Sequence, residues 1–452
     1  MEQLHNQLLN KSVKKVFFTF FFPSLFGLVL MSVNILVDGI FVGNGVGEVG
    51  LASVNLSVPV FSLFISLALW IGIGGGTLYS SLMGKGNQKK AKGVFSLAVT
   101  SITILVIVAG IVGRVNVEVI SKWLGANADT LPFVMDYLSV LFLFGWLMAL
   151  QQVLSVFVRN DGSPRLSMVA LGTTAIVNIV LNYFMIFTLG LGVKGAAVAT
   201  VIAEGVGVLI LLFHFRKSRT HLRYGEFGWS WSMMGSIFSL GFPSFLAEAG
   251  MLVFTAGYNL AVVSLLGTEG VAAFSVVNYL HGFMFLSFFG IESALQPMIS
   301  YYNGADQRER IVSSVKLGER TAFVLGVILL LTGFLAAPLL VSVFGVDSEE
   351  VKQLAIQGIR LFFIGYLFLG FNFVYMTYFQ SVGQVGYSSL VILLRSFVFL
   401  IALLVMLPEF LGIAGVWLAL PLSELMVAVL LFIFARKSLF QHSFSEKQKT
   451  LV

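Results

Sequence analysis

The chain has 452 residues, 58% of them hydrophobic and 11% charged, with 46 glycines, 44 phenylalanines and no cysteine, and a mean hydropathy of +0.96. Soluble domains carry about 25% charged residues, so a soluble globular protein is excluded, and the missing cysteines exclude disulfides, thiol catalysis and cysteine metal sites. The net charge of +6 invites a nucleic-acid partner, but the placement of the basic residues makes one unnecessary.

Residues 1–15 are polar. The apolar run that follows, about 27 residues from Val16, is too long for a signal-peptide core and is expected to be a retained first span. Spans need about 20 apolar residues. Twelve stretches qualify: 16–43, 55–82, 93–114, 131–157, 165–190, 194–215, 235–265, 270–300, 318–343, 354–380, 387–407 and 411–435. Continuous runs of this kind are helices, because a membrane barrel shows short alternating segments instead.

With a cytoplasmic N-terminus, 21 of the 27 Lys and Arg fall on the cytoplasmic side. They include Lys11, Lys14 and Lys15, the loop Lys85–Lys92, Arg159, Arg165, and the group from Arg308 to Arg320. The opposite side holds Arg114, Lys122, Lys194 and Lys352. This positive-inside pattern puts both termini in the cytoplasm, and the basic balance belongs to topology and the lipid bilayer.

The chain also repeats itself. "LGVKGAAVATVIAEGVGVLILLFHFRKS" from Leu191 aligns with "LGIAGVWLALPLSELMVAVLLFIFARKS" from Leu411, an offset of 220. The same offset joins the two "FPS" triplets around Pro23 and Pro243, Gly50 with Gly270, and Gly125 with Gly345. The expected fold is therefore an all-α polytopic membrane protein of two lobes, 1–220 and 221–452, each of six spans. An even span number makes the lobes parallel bundles, related by a pseudo-two-fold along the membrane normal. That is the architecture of an alternating-access transporter with substrate between its halves. The polar segment Arg216–Trp231 reads as the inter-lobe linker.

Ionisable residues inside spans are functional candidates by default. They are Asp38, Glu204, Glu248, His281, Glu292, Arg395 and Glu424. Asp38 lies about 22 residues into span 1, and its repeat mate is Tyr258. In span 5, Thr174, Asn178 and Asn182 are spaced by four and share one helical face; the asparagines serve either as interhelical bonds or as a polar site receiving Asp38. Carboxylate, amide and hydroxyl oxygens there, with Thr200 in span 6, could ligate Na⁺, and the carboxylate could equally titrate. Glu204 and Glu424 are repeat mates, which suggests one shared role. Glu248 has the uncharged mate Leu28 and is a secondary coupling candidate. An Arg–Glu pair between span 11, with Arg395, and span 8, with Glu292, would be structural neutralisation. Phe41, Tyr137, Trp146, Tyr279 and Tyr375 could stack on organic cations. Pro23 and Pro243 can kink the first helix of each lobe. No Walker A motif, metal-ligand spacing or enzyme motif is present, so neither ATP hydrolysis, a cofactor nor catalysis is expected.

The two six-span halves, "VDGIFVG" around Asp38, the "GNQKKA" loop after span 2 and the "RNDGSP" loop after span 4 resemble the multidrug and toxic compound extrusion (MATE) family over nearly the whole chain. The resemblance implies a monomeric exporter of small organic, often cationic, compounds in a bacterial or archaeal cytoplasmic membrane, exchanging them for H⁺ or Na⁺. In the DinF-like branch the cation site uses a first-helix aspartate, matched by Asp38, and positions that fall on Asn178, Asn182 and Thr200; Asn182 stands where that branch has a second acid. Another, NorM-like branch uses a glutamate after Gly-x-Pro, matched by Glu248 in "GFPSFLAE", and a tenth-helix aspartate where this chain has Asn372. A lipid-linked saccharide flippase of the same superfamily is the alternative, but such proteins line their cavity with several basic residues, and only Arg395 and Arg360 are available here.

Overall fold

The computed structural model describes residues 8–216, 220–223, 229–346 and 348–449. Half of the expected linker, at 217–219 and 224–228, lies outside the described residues. Every regular element among them is helical. The chain divides into two compact units, Met1–Phe245 and Leu246–Val452.

The first unit contains α1 (Val13–Val46), α2 (Glu48–Gly84), α3 (Gln88–Val115), the short α4 (Val117–Trp123), α5 (Leu131–Phe144), α6 (Trp146–Asn160), α7 (Pro164–Tyr183) and α8 (Gly192–Leu212). α5 and α6 meet at a 50° bend and together make one span. Next comes α9, Trp231–Gly304, which is long enough for two spans. They join at Gly267, whose φ of 57° and ψ of −136° belong to a region that only a residue without a Cβ enters freely. The second unit continues with α10 (Arg308–Leu335), α11 (Ala337–Ser342), α12 (Glu349–Phe362), α13 (Tyr366–Ser381), α14 (Val385–Leu393), α15 (Phe399–Leu411) and α16 (Ile413–Lys449). Ten helical segments pass a length and hydropathy test for crossing a membrane, and the bent pair adds an eleventh. Counting α9 twice gives the twelve spans read from the sequence.

The repeat survives in the backbone. Left-handed turn residues recur at Gly47 and Gly267, Gly125 and Gly345, and Gly192 and Gly412, each pair 220 residues apart. At Gly86 the mate is Asp306, the one non-glycine residue with positive φ among those described; aspartate tolerates that conformation through its short polar side chain. Helix continues through both Pro23 and Pro243.

Within the first unit, α1 packs on α7 and α7 on α8. The start of α9 packs on α2: Trp70 Nε1 donates to the Phe238 carbonyl at 2.7 Å, and a Cβ on Gly241 would overlap the Trp70 carbonyl oxygen. Glycine there lets the two backbones approach closely. Large apolar side chains remain exposed along the spans, Phe26 at 60% and Ile40 at 57% on α1, as a hydrocarbon solvent requires.

Candidate cation site

Asp38 sits on the last third of α1, and the close packing of α1 on α7 sets it against the polar face of α7. Asn182 Nδ2 donates to Asp38 Oδ1, and Asn34, one turn earlier on α1, donates to Oδ2 at 3.4 Å. Asn182 also donates to Asn178 Oδ1, and Asn178 to Thr200 Oγ1 on α8, both at 3.1 Å. Asn178 is 2% exposed and Asn182 0%. Four of the sequence candidates thus fall in one network.

The Asn178 amide can be read either way round, and its hydrogen-bond partners decide between the two. In the first, its oxygen faces the Asp38 carboxylate. Turned over, its nitrogen donates to Asp38 Oδ1 at 2.7 Å and to Asn34 Oδ1 at 2.8 Å, while its oxygen accepts from Thr200 Oγ1 at 3.1 Å. A carboxylate repels an amide oxygen and attracts an amide nitrogen, so the second orientation is the one that satisfies both amide atoms.

Beyond this network, Val42, Ile186 and Ala196 form a buried apolar cluster, with Phe41 and Val46 packed on it. Phe41 meets Tyr183 and Phe187 edge to face. Tyr137 is near enough to Asp38 to feel its charge and packs with Leu147 against Val140, Ala197 and Val201. Trp146 starts α6 at the bend.

The second unit carries a different buried network, and here the structure corrects the sequence reading. Arg395 pairs with Glu424 at 2.9 Å, not with Glu292. Asn372, at the position of a coupling aspartate in the resemblance, donates to Glu424 Oε2 at 2.7 Å and to its carbonyl at 2.9 Å. Glu204 and Glu424, expected to share a role, differ: Glu204 is 6% exposed, and its Oε2 has no hydrogen-bond partner among the described residues. Tyr258, the mate of Asp38, accepts from Leu420 N at 2.9 Å. His281 is bonded to Tyr366 at 3.0 Å through Nδ1 and is enclosed by Phe254, Phe285 and Phe362. Tyr375 is fully buried and donates to Glu319 at 2.9 Å, so it packs inside its unit, whereas Tyr279 is 55% exposed near Phe344. Glu248 lies on α9, partly buried.

Two features escaped the sequence reading. Asn34 was visible as the residue four before Asp38. Asp161, in the "RNDGSP" loop, was not: it gathers groups distant in sequence. Tyr79 donates to Oδ1 at 2.7 Å, His214 Nε2 lies 2.8 Å from Oδ2, and His221 N donates to Oδ2 at 3.2 Å. Burial opposes ionisation of Asp161, but the hydrogen bonds from His214 and His221, the charge of His214 and the bond from Tyr79 outweigh it and hold its pKa at about 2, below the ordinary 3.8. A depressed carboxylate pKa contributes stability above its unfolded value and loses it as pH falls through the folded value. The thermal stability of the purified protein is therefore expected to drop between about pH 4 and pH 2, and Asp161→Asn, followed by the same melts, should flatten that drop.

The MatE family model matches this chain twice, over residues 23–184 and 243–406. The Staphylococcus saprophyticus multidrug export protein MepA is 27% identical over 425 residues, covering 92% of each chain. A Shewanella oneidensis FAD transporter is 26% identical over 445 residues, covering 95% of this chain and 96% of its own. Among solved structures, a MOP superfamily transporter from Pyrococcus furiosus superposes with a TM-score of 0.90 at 23% identity, covering 96% of this chain and 97% of its own. With two copies of the family model spanning most of its length, this multi-pass membrane chain belongs to the MatE family.

Proposed function

We infer that the protein is a secondary multidrug exporter, which expels small organic compounds, cations among them, in exchange for protons by alternating access. It works as a monomer with both termini cytoplasmic. The observation that carries this reading is Asp38, a lone carboxylate in an apolar helix, held by the amides of Asn34 and Asn182 with Asn178 and Thr200 behind them. Such a group binds one cation at a time. The MepA relatives are named as multidrug exporters, which favours organic cargo.

A proton is favoured over Na⁺ because the Asn182 amide nitrogen already occupies one carboxylate oxygen, with Asn34 Nδ2 3.4 Å from the other. A proton needs one oxygen lone pair, whereas Na⁺ needs several oxygens turned inward. Anionic cargo, such as FAD or a pyrophosphate-linked saccharide, is disfavoured: Arg395 is committed to Glu424, and Arg360 lies over the Phe334 ring.

Dye efflux from proteoliposomes, with proton and Na⁺ gradients imposed separately, tests the reading. Efflux is expected with the proton gradient alone. A response only to Na⁺ would replace the ion, and no response to either would overturn cation-driven export.

A further inference from the structure

The first unit contains a second carboxyl group that the cation site does not use. α7 and α8 face each other along a seam of polar residues, all buried or half-buried. At one end Asn178 bonds Thr200. Further along, Gln151 on α6 donates to Thr174 on α7 at 2.6 Å, and a Cβ on Gly207 of α8 would run into both side chains. Glu204 lies between these two contacts. It is one turn from Thr200 and three residues from Gly207, on the same face of α8. Beyond Gln151 and Thr174 the seam continues through Ser155 and Ser167, whose hydroxyls are 2.6 Å apart, toward Asp161 and His214. Along α7, Asn182 and Ser167 are separated by 15 residues, about 22 Å of helix.

The groups that neighbouring helices bring to this level are Thr174 and Asn178 from α7, Gln151 from α6 and Tyr137 from α5, which packs on Val201. All are uncharged. The charges on these elements are Asp38 beyond Asn182, the exposed Asp136 next to Tyr137 on α5, Arg159 and Arg165 at the opposite helix ends, and Lys194 in the first turn of α8. The second unit shows what has been omitted. Thr174 and Gln151 stand 221 residues before Arg395 and Asn372, the two side chains that hold Glu424, the mate of Glu204. The first unit keeps the buried acid and replaces its arginine by threonine. A proton is the remaining counter-charge for Glu204 inside the seam.

We propose that Glu204 is a second proton-binding site of the first unit, so that a transport cycle carries two protons, one on Asp38 and one on Glu204. The proposal rests on proton-coupled export. On loading, an O–H bond forms at a Glu204 carboxylate oxygen with a proton from hydronium on one side. On unloading, the same bond breaks and water on the other side takes the proton, with Thr174, Ser155 and Ser167 as the hydroxyls between. No electrons are transferred. Exchange of two protons for one monovalent organic cation moves one net charge inward.

The test is the voltage dependence of ethidium accumulation in proteoliposomes, with pH equal on both sides and the potential set by potassium and valinomycin. For one net charge, about 59 mV changes the steady-state ethidium ratio tenfold. Wild-type protein is expected to follow that slope. Glu204→Gln keeps the shape and loses the proton, so its exchange should still respond to a pH gradient but not to voltage, with ethidium binding retained; Glu204→Asp should restore the slope. A Glu204→Gln protein with the wild-type voltage slope overturns the proposal. Should that variant not fold, the proton-to-ethidium ratio of the wild type decides: two supports the proposal and one overturns it. A wild type without proton-driven efflux removes the parent reading, and this one with it.

Discussion

Asp38→Asn is expected to lower proton-driven efflux to the passive leak while the protein still folds. The substitution is isosteric and keeps one oxygen, which accepts from Asn182 as the carboxylate does. The bond to Asn34 is 3.4 Å long and contributes little. Loss of one ordinary hydrogen bond costs about 1 kcal/mol, so the melting temperature should move by a few degrees at most. Transport is another matter. A cation drives a conformational equilibrium only through a difference in its binding to the two states, and Asp38 is the only acid in its network. An amide takes neither a proton at physiological pH nor the charge of a bound cation. Dye efflux and melting curves from the same preparation check both halves of this expectation. Efflux at the wild-type rate would move the coupling site elsewhere, with Glu204 and Glu248 next in line.

Much of this site was legible because its signals are short-range. Spacing of four places Asn178 and Asn182 on one helical face, and a carboxylate in hydrocarbon announces itself. Span number and the internal repeat were legible too, since hydropathy and a constant offset survive without three-dimensional information. What failed has a common physical cause. Which face of an all-apolar helix meets protein and which meets lipid leaves little trace in hydropathy, so Tyr375 and Tyr279 looked alike although one is buried and the other exposed. Asp161 meets partners 53, 60 and 82 residues away, and no local pattern encodes such pairings. Glu204 and Glu424 match perfectly as a repeat pair. Their difference lies in the residues opposite them, Thr174 in one unit and Arg395 in the other, and those become comparable only when the offset is read as 221 in the middle of the lobe instead of 220.

That difference makes Arg395 the residue whose loss should cost the fold most. The helix carrying it widens to a π-helix over Leu394–Val398, which breaks the regular backbone ladder, and Ser423 donates to the Arg395 carbonyl at 2.6 Å. The guanidinium lies over Phe373, 5.0 Å from the ring centroid, and meets Glu424, which is 0% exposed. Removing one partner of a buried ion pair leaves an uncompensated charge and costs about 3–5 kcal/mol. Arg395→Leu should therefore lose that much in thermal or urea unfolding of the detergent-solubilised protein. Replacing both partners by apolar groups is often neutral or stabilising, by about 1–4 kcal/mol, so Arg395→Leu with Glu424→Leu should recover most of the loss. In the double variant Asn372 loses its side-chain acceptor but keeps the Glu424 main-chain carbonyl, which tempers the recovery. A single variant within about 1 kcal/mol of wild type would mean that the pair is screened like a surface bridge, and the contrast drawn between the two units at Glu204 and Glu424 would fall with it.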